Sequence, residues 1–205
     1  MKLTHLIKNI CVAGALLAGS YTTASFAADQ QAVAQKSFPG DSIYQLPVRL
    51  QNQDGQIFPL SDKAGHPMLV SMFYNSCEYV CPMLIDTLQM TEKALSPTEA
   101  DKLKILLVSF DPARDDVASL KSVVQTRKLD TSRWMLARGE ENAIRPLAAA
   151  LGIQYRQLES GEFNHTTVIL LISPDGRILA KTSQLSQLDQ GFLKSVKRVT
   201  EDIQN

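Results

Sequence analysis

Apolar and polar residues roughly alternate on both sides of Asp54-Gly55, which predicts a β-hairpin over Val48 to Leu60 closed by a favoured two-residue turn. Met68 to Tyr74, after Gly65-His66-Pro67, is a short apolar run and predicts a buried strand. From Pro82 to Leu95 the period changes: Leu84, Ile85, Leu88 and Leu95 form a helical stripe. Leu103 to Phe110 is almost continuously apolar, the pattern of a strand covered on both faces. Asp111-Pro112 breaks the chain. Asp115 to Lys128 then predicts a helix with Val117, Leu120, Val123 and Val124 on one side. Arg133 to Leu136 reads as a short strand, and Glu141 to Leu151 as a helix that Gly152 ends. Ile153 to Leu158 predicts a strand, Gly161 to Asn164 a loop, and Thr166 to Ile172 a β-branched strand. Pro174-Asp175-Gly176 turns that strand into Arg177 to Ala180, and Leu188 to Ile203 closes the chain as a helix.

Strands alternating with helices imply a mostly parallel sheet covered on both faces, to which a final hairpin adds antiparallel strands. The predicted class is α/β: a thioredoxin-like three-layer α/β/α sandwich with an N-terminal β-hairpin and an inserted hairpin in the C-terminal half. Right-handed crossovers place the strand ends after Tyr74 and Phe110 on one edge, where open α/β sheets carry their chemistry.

The start of the chain has a different character. Lys2 and Lys8 precede a mostly apolar, small-residue run from Ile10 to Ala18, and Ser25-Phe26-Ala27 offers the small residues that a signal peptidase reads. The expected organisation is a signal peptide over 1–27, a flexible lead-in over 28–40 and one domain over 41–205. The apolar run is too short for a stable bilayer anchor, so membrane attachment is expected only if the signal stays uncleaved. Ile10 before Cys11, with no Leu-Ala-Gly pattern, argues against a lipoprotein site. Cleavage would leave 178 of the 205 residues, a net charge near −2 and no basic patch for nucleic acid. It would also leave two cysteines, Cys77 and Cys81, in an exported and periplasmic setting where thiols usually pair.

Those cysteines lie where an apolar strand runs into a helix, and Pro82 follows at once. Proline is well tolerated at the first helical position, so the helix is predicted to start near Pro82, with Cys77 to Cys81 as the loop entering it. The positive end of the helix favours thiolate, the form that binds metal and attacks disulfides. Three intervening residues give room to hold both sulfurs on one ion. A purely structural disulfide is the plain alternative, but closing so short a loop contributes only about 2 kcal/mol. His165 reaches the sulfurs if Thr166 to Ile172 neighbours the strand ending at Tyr74; otherwise it is a surface histidine. Two thiolates and an imidazole suit copper, with zinc chemically possible. His66 is read as remote from the cysteines, and Met83 as the one methionine placed to line the site.

Taken together, Cys77-Glu78-Tyr79-Val80-Cys81-Pro82, Val108-Ser109-Phe110-Asp111-Pro112-Ala113-Arg114-Asp115, and Asn164-His165-Thr166 before Leu171-Ile172-Ser173-Pro174-Asp175-Gly176 resemble the Sco/SenC family from about Leu46 to Thr182. The resemblance implies a thioredoxin-like fold, an export-side location and one bound copper, as Cu(I) or Cu(II), on Cys77, Cys81 and His165. It further implies delivery to a copper-accepting protein such as subunit II of cytochrome c oxidase. Asp111 aligns with the family's acidic residue after the second strand, a group behind the ligands or facing a partner; a turn-forming Asp before Pro is the equal alternative. Glu78-Tyr79 and Asn164 depart from the family's usual Pro-Asp and Asp.

Two functions follow as expectations. One is a copper metallochaperone. The other is a thiol–disulfide oxidoreductase in which Cys77 and Cys81 act alone, as redox-active groups on the cysteines of the same copper site, and which could itself meet a thiol–disulfide reductase. The Thr that peroxiredoxin chemistry wants three residues before the attacking cysteine is absent: Tyr74 stands at that position before Cys77, and Val80 directly precedes Cys81.

Overall fold

The computed structural model describes residues 37–202; the expected signal peptide, Cys11, most of the lead-in and Ile203 lie outside the described residues. A two-stranded hairpin comes first, β1 (Arg49–Asn52) and β2 (Ile57–Pro59), around the predicted Asp54-Gly55 turn. Asn52 secures the turn: its side-chain oxygen accepts from the N–H groups of Asp54 and Gln56, at 3.0 and 2.9 Å. Then follow β3 (Met68–Phe73), α1 (Val80–Lys93), α2 (Pro97–Lys102), β4 (Lys104–Ser109), α3 (Val117–Thr126), β5 (Trp134–Arg138) and α4 (Glu141–Ala150). The chain closes with β6 (Tyr155–Gln157), β7 (Phe163–His165), β8 (Ile169–Ile172), β9 (Ile178–Thr182) and α5 (Gln190–Glu201).

Seven strands form one sheet in the order β2-β1-β5-β4-β3-β8-β9, and β6-β7 form a separate ribbon. The thioredoxin-like α/β/α sandwich with its N-terminal hairpin and inserted hairpin is the architecture observed. The expected mostly parallel sheet is not: only β3–β4 and β4–β5 run parallel, while β1–β2, β1–β5, β3–β8 and β8–β9 are antiparallel. The reason is that helical crossovers link only β3, β4 and β5, and hairpins or longer returns supply the remaining neighbours.

Every residue of β3 and of β8 is buried. This explains their almost continuously apolar sequences, interrupted only by the buried Ser71, because both faces of these central strands are covered. Successive right-handed crossovers through α1 and α3 step in the same direction across the sheet and so share a face. Contacts between the two helices show it: Arg127 pairs with Asp86, and the Gln89 amide donates to the Arg127 carbonyl at 3.2 Å.

Three local differences from the predicted elements bear on the site. Helix α1 begins at Val80, so Cys81 lies inside its first turn and Pro82 is the third helical residue. The first four N–H groups of a helix have no partner within it, so a proline there removes no hydrogen bond. Helix α3 begins after Asp116, whose carboxylate caps it by accepting from Ser119 N–H at 2.7 Å, which leaves Asp115 outside the helix. The stretch read as strand, loop and strand from Ile153 is a tight ribbon, Tyr155 facing His165 and Gln157 facing Phe163, so His165 ends β7 and does not precede β8 directly. Short helix α2, absent from the sequence reading, carries a reciprocal Ser96–Glu99 capping box.

Candidate metal centre

The strand register aligns Phe73 of β3 with Ser109 of β4, so both chains leave the sheet at the same edge. On leaving β3, the chain makes a tight loop. Cys77 N–H donates to the Tyr74 carbonyl at 3.3 Å, and Asn75 N–H donates to the Asp115 carboxylate at 3.1 Å. No side chain caps α1 at Tyr79. The Cys77 sulfur takes that place and accepts from Cys81 N–H at 3.3 Å. A thiolate here meets both the free N–H groups and the positive end of the helix dipole.

The two cysteines are free thiols with different environments. Burial opposes ionisation of Cys77, but the Cys81 N–H and thiol and the Tyr79 and Val80 N–H groups outweigh it, and the Cys77 pKa falls below the ordinary thiol value. Cys81 is only 4% exposed. Burial pushes its pKa well up; a hydrogen bond with the Tyr74 backbone eases this, and the nearby charges of Cys77 and Asp115 add to it. The pair is therefore a thiolate-prone Cys77 over a protonated Cys81. A cavity of about 190 Å³, lined by Tyr74, Cys77, Cys81, Pro82, Val123 and Arg127, opens beside them.

His165 arrives from the ribbon. Since β8 pairs with β3, the condition set by the sequence is met and the histidine stands at the cysteine edge. Its ring is edge-on to Tyr74 (centroids 5.8 Å apart, planes at 90°) and tilted against Phe110 at 5.1 Å. Phe163 and Tyr155 complete the aromatic cluster, Phe163 at 5.2 Å from both Tyr74 and Phe110, and Tyr155 stacked on Phe110 at 4.9 Å. Burial lowers the His165 pKa, with partial relief from the Thr166 carbonyl 3.4 Å from Nδ1. A proton on Nδ1 would donate to that carbonyl and leave the Nε2 lone pair for a metal. Ligand atoms of Cys77, Cys81 and His165 all lie within 4.8 Å of one another.

The other sequence candidates lie elsewhere. Asp111 is buried, and its carboxylate is turned onto Arg114 and away from solvent, while its N–H donates to Ser109 Oγ at 3.0 Å. Met83 is 37% exposed and does not line the cavity beside the cysteines. His66 lines a separate cavity of about 210 Å³ with Met68, Lys104 and Trp134.

Three residues escaped the sequence reading. Asp115 is 1% exposed, accepts from Asn75 N–H and Ser109 Oγ, and has its pKa raised by burial. Its signal was available: Asp115-Asp116 offers two carboxylates where a helix start needs one. Tyr74 donates to Glu162 at 2.5 Å, and Arg114 donates to the Gly161 carbonyl at 2.7 Å; only the tertiary fold reveals either.

The SCO1/SenC family model matches residues 37–201. Over 174 residues the chain is 25% identical to the human protein SCO1 homolog, mitochondrial, covering 82% of this chain and 57% of that protein. It thus spans little more than half the length of that relative. A SCO1/SenC family lipoprotein from Bacillus anthracis superposes with a TM-score of 0.67 at 25% identity, over 74% of this chain and 91% of the other. Yeast Sco1 with copper bound superposes with a TM-score of 0.64 at 17% identity, over 76% and 87%. With a family model matched across the whole described fold, this chain belongs to the SCO1/SenC family.

Proposed function

We propose that the protein is a copper metallochaperone which carries one copper ion on Cys77, Cys81 and His165. The observation that carries this reading is the convergence of two sulfurs and an imidazole, from distant parts of the chain, to within 4.8 Å. The chemistry of the donor set agrees. Two soft sulfurs suit Cu(I), and an imidazole adds a donor suited to Cu(II). Burial lowers the imidazole pKa and so favours the neutral form that a ligand needs. Yeast Sco1, of the same fold, is a copper-bound structure.

Loading requires the reduced pair. Cys77 presents a thiolate at the mouth of α1, and copper displaces the proton of Cys81, whose thiol is otherwise held protonated by burial. The segment Glu159 to Asn164 adjusts as the ion enters. Transfer proceeds by ligand exchange across a protein contact. The acceptor is subunit II of cytochrome c oxidase or a similar exported cuproprotein, an assignment supported by the family resemblance. An exported, periplasmic domain preceded by a signal peptide over 1–27 is supported by Lys2, Lys8 and the apolar run that follows. No helix among the described residues is long and apolar enough to cross a membrane.

A second reading has its own observation. A thiolate-prone Cys77 beside a buried, protonated Cys81 is the asymmetry a dithiol exchanger uses, with Cys77 attacking and Cys81 resolving. His165 separates the two functions, since a dithiol exchanger has no use for it. Anaerobic titration of the reduced protein with copper, following stoichiometry and sulfur-to-copper charge-transfer absorption, tests the first reading. One ion per chain is expected, with Cu(II) held much more weakly by His165→Ala. Equal binding by mutant and wild type leaves only the exchanger.

A further inference from the structure

The ribbon that carries His165 is the least supported part of the site. It pairs only three residues per strand, and its strands are largely exposed or half-buried. A two-stranded ribbon is marginal by itself in water. Among the described residues, two hydrogen bonds cross from its tip to the sheet edge. Arg114, just after β4, donates from Nη2 to the Gly161 carbonyl at 2.7 Å. Tyr74, just after β3, donates its hydroxyl to Glu162 Oε2 at 2.5 Å.

The same two side chains are tied to the site by other contacts. The Arg114 Nε is paired with the buried Asp111 carboxylate, and its guanidinium lies 5.9 Å from the Tyr74 ring centroid and 5.7 Å from that of Phe163. One guanidinium fork thus spans from the sheet edge to the ribbon tip, a geometry a lysine cannot reproduce. The Tyr74 ring is the one packed edge-on against His165. Gly161 has φ +86°, a left-handed conformation that turns the tip tightly.

We propose that Arg114 and Tyr74 are positioning residues, which latch the tip of the β6–β7 ribbon to the sheet edge and thereby set where the His165 imidazole stands relative to the two sulfurs. The proposal rests on the reading of His165 as the third ligand. A ligand must be held to within about 10–20° of its productive direction. A modest twist of an unlatched ribbon therefore takes the imidazole off the ion, while the sulfurs, fixed by β3 and α1, stay in place.

The test uses Tyr74→Phe, which keeps the ring and removes only the hydroxyl, together with Arg114→Gln, Arg114→Lys and His165→Ala. Cu(II) and Cu(I) affinities are measured on the reduced protein. Amide hydrogen exchange over residues 155–165 is measured without metal. Each latch variant is expected to lose about tenfold in Cu(II) affinity, what one charge-assisted hydrogen bond is worth. Cu(I) binding should be unchanged, ribbon exchange should rise about as much, and exchange in β3 and β8 should stay as it was. Arg114→Lys should behave as Arg114→Gln does. If His165→Ala weakens Cu(II) binding but the latch variants match wild type in both affinity and exchange, the latch is wrong and the metal-binding reading stands. If His165→Ala itself leaves Cu(II) binding intact, both fail. Equal losses for the two ions with a matching fall in melting temperature indicate a purely structural role and also overturn the latch.

Discussion

The central sheet and the β6–β7 ribbon supply the same site by opposite means. β3 pairs along its full length with β4 and is fully buried, so the loop carrying Cys77 and Cys81 starts from a fixed point. The ribbon pairs three residues with three and holds His165 through aromatic packing and two hydrogen bonds at its tip. The sulfurs are thus built into the core, while the imidazole is docked against it. Under the proposed function, in which an ion is taken up and given away, the difference is useful: the imidazole would leave at little cost while the two sulfurs kept hold, and local stability is lowest where movement is needed.

The comparison can be broken at either end. The largest effect is expected from Cys77→Ser or Cys81→Ser, either of which should abolish tight Cu(I) binding, seen as loss of the charge-transfer absorption in an anaerobic titration. Next, His165→Ala should weaken Cu(II) binding by more than the 10–100-fold that removal of a residue behind a ligand typically costs, about 100-fold or beyond, and barely change the unfolding midpoint. A buried sheet residue should show the reverse. Leu171→Ala in β8, with its side chain fully buried, should cost about 2–5 kcal/mol by denaturant unfolding. Leu158→Ala beside the ribbon, 40% exposed, should fall within about 0.5 kcal/mol of wild type.

A pH measurement sharpens the difference between the two sulfurs themselves. With the Cys77 pKa lowered and that of Cys81 raised, alkylation of the metal-free reduced protein should modify one thiol per chain, with a midpoint below the ordinary cysteine value. Cys77→Ser should remove that reaction and Cys81→Ser should keep it. The raised Cys81 pKa also has a sign for stability. The unfolded chain loses this proton at lower pH than the folded one, so the contribution is intact below the ordinary thiol pKa and declines as pH rises through it.

Much of this was legible in residue order. Almost continuously apolar runs at Met68 to Tyr74 and Leu103 to Phe110 marked the covered central strands, and Asp54-Gly55 marked the hairpin, because burial and turn geometry act locally. The place of Cys77 and Cys81 between strand and helix was readable for the same reason, although Pro82 misled the helix start by two residues. The ribbon was legible only in part: Ile153 to Leu158 read as a strand, but Phe163 and Asn164 read as loop and the pairing of the two strands was not seen. Phe163 to His165 has no strong alternation, since it is held by packing onto Phe110 and Tyr74, not by a buried face of its own. Arg114 and Tyr74 carried no signal either, because their partners at Gly161 and Glu162 are distant in sequence.

The most direct test of a single ion shared by two sulfurs and one imidazole is X-ray absorption at the copper edge of the Cu(II)-loaded protein. The expected first coordination sphere contains two sulfur scatterers and an imidazole nitrogen, with the imidazole signature lost in His165→Ala. A sphere of sulfur and solvent oxygen alone, identical in wild type and mutant, would contradict the account.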